Sequence, residues 1–230
     1  MSDVAGERPL ARGVAARQRF ARIFALGDRK SPSSWTPGLV LSSADPELPL
    51  PMAAFRVKRD ASTIPATMSM EVLDDLCLPF GGLETWQAEE GLILPSSLVD
   101  SDSGSKSAGV QLLPVSWQSL HHDVDLLEEG LEPSVIALID APQLAERPGK
   151  LIQAIDAIRR RFTTSLIYTP GIGGPDNCAL LTWMGVDLFD LSRSHQAASR
   201  GVLLTEDGPR EVESTMGEST GIDTQIEAWQ

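Results

Sequence analysis

From residue 134 to residue 189 the apolar positions follow two alternating rhythms. Ser134 to Asp140 (SVIALID) is a continuous apolar run of the length of a buried strand. Lys150 to Phe162 places Leu151, Ile155, Ile158 and Phe162 on one helical face. Ser165 to Tyr168 (SLIY) is a second apolar run. Gly174-Pro175-Asp176 then predicts a helix start, because proline suits the first helical position and an acid suits the positive end of the helix dipole. That helix is expected to reach Met184 and stop at Gly185, a good C-terminal cap. Val186 to Phe189 predicts a third strand. Such a β-α-β-α-β order means parallel strands with helices packed outside. Right-handed crossovers leave an open doubly wound sheet or part of a (β/α)8 barrel, and the pattern does not choose between them.

The first half is less regular. Arg19 to Leu26 alternates as a strand would, and Thr36 to Leu41 predicts another after a polar turn. Residues 42 to 52 read as a loop, Met70 to Cys77 as a short helix and Gly91 to Leu94 as a short apolar run. Residues 100 to 109 (DSDSGSKSAG) form the clearest flexible loop. Trp117 to Glu129 predicts a helix with Leu120, Val124 and Leu127 on one face. The expected organisation is a flexible basic arm over 1–17, one domain over 18–210, and an acidic flexible tail over 211–230, the chain turning polar from Thr205.

Composition narrows the function classes. An apolar share of 42% in 230 residues is enough for a core. The net charge of −13 argues against a chain that grips nucleic acid unaided, since phosphate contacts normally demand a basic surface. Arginines do cluster locally, at Arg8, Arg12, Arg17, Arg19 and Arg22 and again at Arg159, Arg160 and Arg161; an ordinary solvated face is the alternative reading. Two cysteines far apart, Cys77 and Cys178, make neither a disulfide framework nor a zinc site. The start lacks an apolar signal-peptide core, and no apolar run approaches 18 residues. The expectation is a cytoplasmic protein with no membrane partner.

Parallel architectures carry their chemistry at the C-terminal ends of strands. Asp140, Thr169 and Asp190 hold those positions. Asp190 follows its strand directly, with Arg193 and His195 just beyond. A carboxylate there can act as nucleophile, acid, base or ligand. Alternatively it caps the following segment or pairs with Arg193. Thr169-Pro170-Gly171-Ile172-Gly173-Gly174 could cradle a phosphate at a helix start, but its glycine spacing is not that of a dinucleotide fingerprint. His121-His122-Asp123 reads as surface, because adjacent side chains on a helix diverge.

Leu181 to Gly208 (LTWMGVDLFDLSRSHQAASRGVLLTEDG) resembles the tRNA-guanine transglycosylase segment in which Gly-Val-Asp-Met-Phe-Asp precedes a Pro-Thr-Arg turn and an Ala-Arg-Asn-Gly step. Leu166 to Asn177 (LIYTPGIGGPDN) is similar to the N-terminal domain of archaeosine synthases, and Phe20 to Leu41 to the family's opening hairpin. The likeness spans roughly 18 to 210. It implies a (β/α)8 TIM-barrel-like fold, complete or reduced, and a role in tRNA modification; the sequence itself offers no cofactor motif and no metal-ligand cluster. Asp190 takes the position of the nucleophile that attacks ribose C1′ and displaces guanine; Asp187 takes a structural position. Tyr168, Arg193 and His195 become candidate substrate contacts. The family's Asp-Ser-Gly-Gly-Phe acid is missing, Leu78-Pro79-Phe80-Gly81-Gly82 having no acid before its glycines. The base-binding glycine motif and the three-cysteine, one-histidine zinc site are missing too. The resemblance therefore implies a subunit of archaeosine biosynthesis at tRNA position 15, catalytically incomplete alone. Its partner would be a protein of the archaeosine synthase C-terminal type that supplies tRNA binding and the remaining chemistry. A compact stand-alone base-exchange enzyme using Asp190 is the alternative.

Overall fold

The computed structural model describes residues 12–28, 30–41, 53–57, 67–69, 92–95, 112–121 and 133–211. The expected loops at 42–52 and 100–109, the helix at 70–77 and the tail beyond residue 211 lie outside them.

The fold is mixed α/β around a largely parallel sheet. Strands β4 (Gly38–Leu41), β5 (Ala53–Val57), β6 (Thr67–Ser69), β7 (Leu92–Pro95), β8 (Leu112–Val115), β9 (Val135–Leu138), β10 (Leu166–Tyr168) and β11 (Leu188–Phe189) pair in the order β6-β7-β5-β4-β11-β10-β9-β8. Every neighbouring pair from β5 to β8 is parallel; β7 runs antiparallel to both β5 and β6. The early strand β4 therefore lies beside β11, the last strand of the sheet. Leu113, Val115, Ile136, Leu138, Ile167 and Phe189 supply the sheet's contribution to the core. Over it lie α2 (Ala141–Ala145), α3 (Pro148–Arg161) and α4 (Cys178–Met184). Helix α3 buries Leu151, Ala154, Ile155 and Ile158, the face that the apolar spacing predicts. α1 (Trp117–His121) follows β8, and α5 (Ser192–Ser199) follows β11.

Three expectations require correction. Arg12 to Arg17, assigned to a flexible arm, belong to strand β1 (Arg12–Gln18), antiparallel to β2 (Ala21–Asp28), which pairs in turn with β3 (Ser31–Trp35). Its apolar pattern is weak because residues 14–18 are all exposed. The polar tail expected from Thr205 is still structured there: β12 (Val202–Thr205) and β13 (Gly208–Glu211) form a hairpin, with Gly208 at φ 118. Helix α4 begins at Cys178 rather than at Pro175, with residues 175–177 forming a turn before it. Its stop at Gly185 is as expected: φ is 108, and the Gly185 N–H reaches back into the last turn.

The hairpin β1–β2 is fastened beneath the parallel strands by a buried ionic cluster. Asp187, 1% exposed, lies just before β11. Its Oδ1 accepts from Arg22 Nε at 3.1 Å. Its Oδ2 accepts from Arg22 Nη2 at 2.9 Å, Arg159 Nη2 at 2.6 Å and the Ile167 N–H at 2.8 Å. Arg22 Nη1 also donates to Thr163 O at 2.8 Å, and Arg159 Nη1 to Ser165 O at 3.0 Å. The Arg159 Nη2 bond to Gly185 O completes the clamp. A buried carboxylate is tolerated when its lone pairs are filled by charged and backbone donors, and here they are.

Candidate functional site at the C-terminal end of β11

Asp187 and Asp190 flank a strand of two residues, so they leave it at opposite ends. Asp190 emerges at the C-terminal end, where parallel sheets place reactive groups. Its Oδ2 accepts from the Tyr168 hydroxyl at 2.7 Å. The Gly171 N–H is shared between Oδ1 at 3.0 Å and Oδ2 at 3.1 Å, and the Ser192 N–H reaches Oδ1 at 3.2 Å. A carboxylate offers about four acceptor positions. Four contacts from three donors therefore fix its orientation and leave little of it uncommitted. Burial pushes the Asp190 carboxyl above its usual range, while the bonds from Tyr168, Gly171 and Ser192 pull the other way.

Each donor has a local cause. Tyr168 ends β10, the neighbour of β11, and is only 2% exposed. Its ring belongs to the interior and its hydroxyl emerges at the strand end. Gly171 can aim its N–H at Asp190 because it adopts φ 74. Ser192 donates from two residues onward, the local turn that aspartate favours. Of the two alternatives drawn from the sequence, the cap is present. The Arg193 pair is not.

Arg193 instead turns to Asp176, giving 2.6 Å from Nη1 to Oδ1 and 2.8 Å from Nη2 to Oδ2. This bidentate bond holds the Asp176 carboxyl below its usual range. Asp176 is thus spent on an arginine in α5 rather than on the dipole of α4. The partner lies 17 residues away in sequence, and no local motif announces it. His195 sits half-buried in α5, and its backbone N–H donates to Leu191 O at 3.0 Å. Tyr168 and Arg193 are thereby placed around Asp190 and its loop, the first through Asp190 itself and the second through Asp176.

The glycine-rich loop has little donor capacity left for a phosphate. Gly171 gives its N–H to Asp190, and Gly174 gives its own to Asn177 Oδ1 at 2.9 Å. The glycines serve close packing: a Cβ on Gly173 would stand 2.8 Å from Phe189 Cδ1, and one on Gly174 would collide with the Arg193 guanidinium. Beside the loop lies a cavity of about 550 Å³ lined by Pro142, Gly171, Ile172, Asn177, Arg193, Gln196, Arg200 and the β12–β13 hairpin.

The other two strand-end residues are also buried. Asp140 accepts the Trp117 N–H on Oδ2 at 2.9 Å, and its Oδ1 and the Thr169 hydroxyl have no protein partner. Burial raises the Asp140 carboxyl, against the pull of the Trp117 bond. His121 stacks on Trp117 with ring centroids 3.7 Å apart; His122 lies outside the described residues. Among the described residues no cluster of His, Cys, Asp or Glu could hold a metal ion, and no helix is long and apolar enough to cross a membrane. In comparison with known proteins, no family profile matches this chain, and no curated protein matches its sequence.

Proposed function

We propose that this chain is a transglycosylase-like subunit of a tRNA-modifying system, acting on a 7-deazaguanine base at tRNA position 15 in archaeosine biosynthesis. The observation that carries the reading is the Asp190 carboxylate, held at a parallel strand end by Tyr168, Gly171 and Ser192, with a cavity lined by Gly171 and Arg193 on the far side of its loop. In such a site an Asp190 oxygen attacks ribose C1′, the glycosidic bond breaks, and its electron pair leaves with the base. The departing base needs a proton, and the acid that the family uses for this has no counterpart in the sequence. The filled lone pairs of Asp190 add a second requirement: a donor must yield before an oxygen can attack. Both features favour a chain completed by a partner, of the archaeosine synthase C-terminal type, that brings the main RNA-binding domain and the remaining chemistry.

The finer fold reading is a (β/α)8-type barrel, complete or reduced. Its support is the position of β4 beside β11, since a closed barrel sets its first strand against its last. A stand-alone base-exchange enzyme is the second reading, favoured by the orientation of Asp190 itself. The test is base exchange in tRNA by the purified chain, alone and with the partner. The expected result is exchange only in the presence of the partner, reduced about 10⁴-fold or more by Asp190→Asn. Exchange by the chain alone, lost in Asp190→Asn, would establish the second reading instead. Exchange with the partner that survives Asp190→Asn would overturn both.

A further inference from the structure

Arg12, Arg17 and Arg19 lie along the β1–β2 hairpin at the end of the sheet opposite Asp190, whereas Arg22 and Arg159 are buried on Asp187 and Arg160 pairs with Asp156. Arg12 Nε donates to Thr164 O at 3.0 Å, which lays β1 against the segment after α3. At the β1–β2 turn, Arg17 Nε donates to Arg19 O at 3.0 Å, and Arg19 sits at φ 56. The Arg19 guanidinium lies 6.0 Å from the centre of the Trp183 ring on α4. Phe20 packs beside Gly185, where an added Cβ would stand 3.3 Å from Phe20 O. Phe20 and Trp183 are each 48% exposed, and Leu180, one turn before Trp183, is 59% exposed. No acid occurs in β1, in the turn, in α4, or in β2 before Asp28. On a chain of net charge −13 this is a segregated cationic, aromatic face.

We infer that this face binds single-stranded RNA, contributing a contact that goes beyond the base chemistry proposed for Asp190. Exposed rings flanked by arginines are what sequence-tolerant single-strand binding uses: bases stack on the rings and phosphates meet the cations. Charge complementarity selects a polyanion. Two of these arginines are also anchored, Arg12 at the start of β1 and Arg17 beside the turn each donating to a main-chain carbonyl, and fixed cations suit the spacing of phosphates along a strand better than they suit a fluid headgroup layer.

The test is fluorescence anisotropy of a labelled oligouridine titrated with the whole chain across a range of salt, with anionic phospholipid vesicles in parallel. Arg17→Gln with Arg19→Asn keeps side chains that tolerate these backbone positions. This pair should weaken oligouridine binding at least about tenfold and flatten the slope of log affinity against log salt by about 1.4, two contacts at ~0.7 each. Trp183→Leu should cost about tenfold, the value of one stacked base. Circular dichroism checks that each variant is folded. Arg210→Gln, which removes an exposed cation on the β12–β13 hairpin, should bind oligouridine like the parent, and because oligouridine holds no 7-deazaguanine, failure here is distinct from failure of the proposed chemistry. Absent oligouridine binding, binding indifferent to both variants, or binding to vesicles alone would each overturn the inference.

Discussion

Asp190 is under two opposing influences. Its burial favours the neutral acid, and its three donors favour the carboxylate. Tyr168 is the donor that can be removed without touching the backbone. Tyr168→Phe deletes a bond to the charged form, so the carboxyl should rise further above its ordinary range. A group whose folded-state affinity for protons rises stays neutral to higher pH. The acid limb of any Asp190-dependent activity should therefore move toward higher pH, with the alkaline side unchanged, as read from a pH–rate profile. A simple loss of rate at every pH, without displacement of that limb, would show that Tyr168 acts by packing alone. That Asp190 stands at a strand end was legible in the sequence, because a short apolar run leads straight into it. The identity of its donors was not. Gly171 contributes through a backbone N–H, which every residue but proline owns, and only its positive φ makes it glycine.

At the scale of elements, the apolar periodicity predicted α3 and the cores of β9, β10 and β11, since each buries a continuous face. It misplaced what is held by other means. β1 reads as an arm because most of its side chains face solvent and its hold on the fold is the ladder to β2 together with the Arg12 bond to Thr164 O. The β12–β13 hairpin reads as tail because its strands are only half-buried or exposed. The Asp187 cluster is equally silent in sequence, its arginines lying 165 and 28 residues away. Yet it is what joins hairpin and sheet. Arg22→Ala removes one of the two cations while Arg159 and Asp187 stay buried. The expected cost is about 3–5 kcal/mol, the usual penalty for breaking a buried pair from one side. Urea unfolding checks it; a loss below about 1 kcal/mol would mean that the hairpin is held by its apolar contacts.

For the whole molecule, the open question is where the sheet ends. Among the described residues β8 pairs on one side only, with β9, yet Leu113 is 1% exposed and Val115 fully buried. The outer side of β8 carries Pro114, a residue that edges tolerate because it has no N–H to pair. Val115 O accepts from Ile139 N–H, so Leu113 and Val115 face β9 and Leu112 holds the one outward N–H of the strand. If the sheet closes as a barrel, native-state hydrogen exchange should find the Leu112 amide protected like those of Leu113 and Val115. A Leu112 amide exchanging as fast as a loop beside protected neighbours would mark an open sheet instead.

The two aspartates of β11 also have a bearing on descent. Their tasks are physically separate: Asp187 secures the hairpin from below, while Asp190 gathers the loops above. A lineage could exchange Asp190 for another small polar residue and retain the scaffold, whereas Asp187 is bound to two buried arginines that would all have to change together. A change at Asp190 would thus leave the framework standing, whereas a change at Asp187 would loosen it from within.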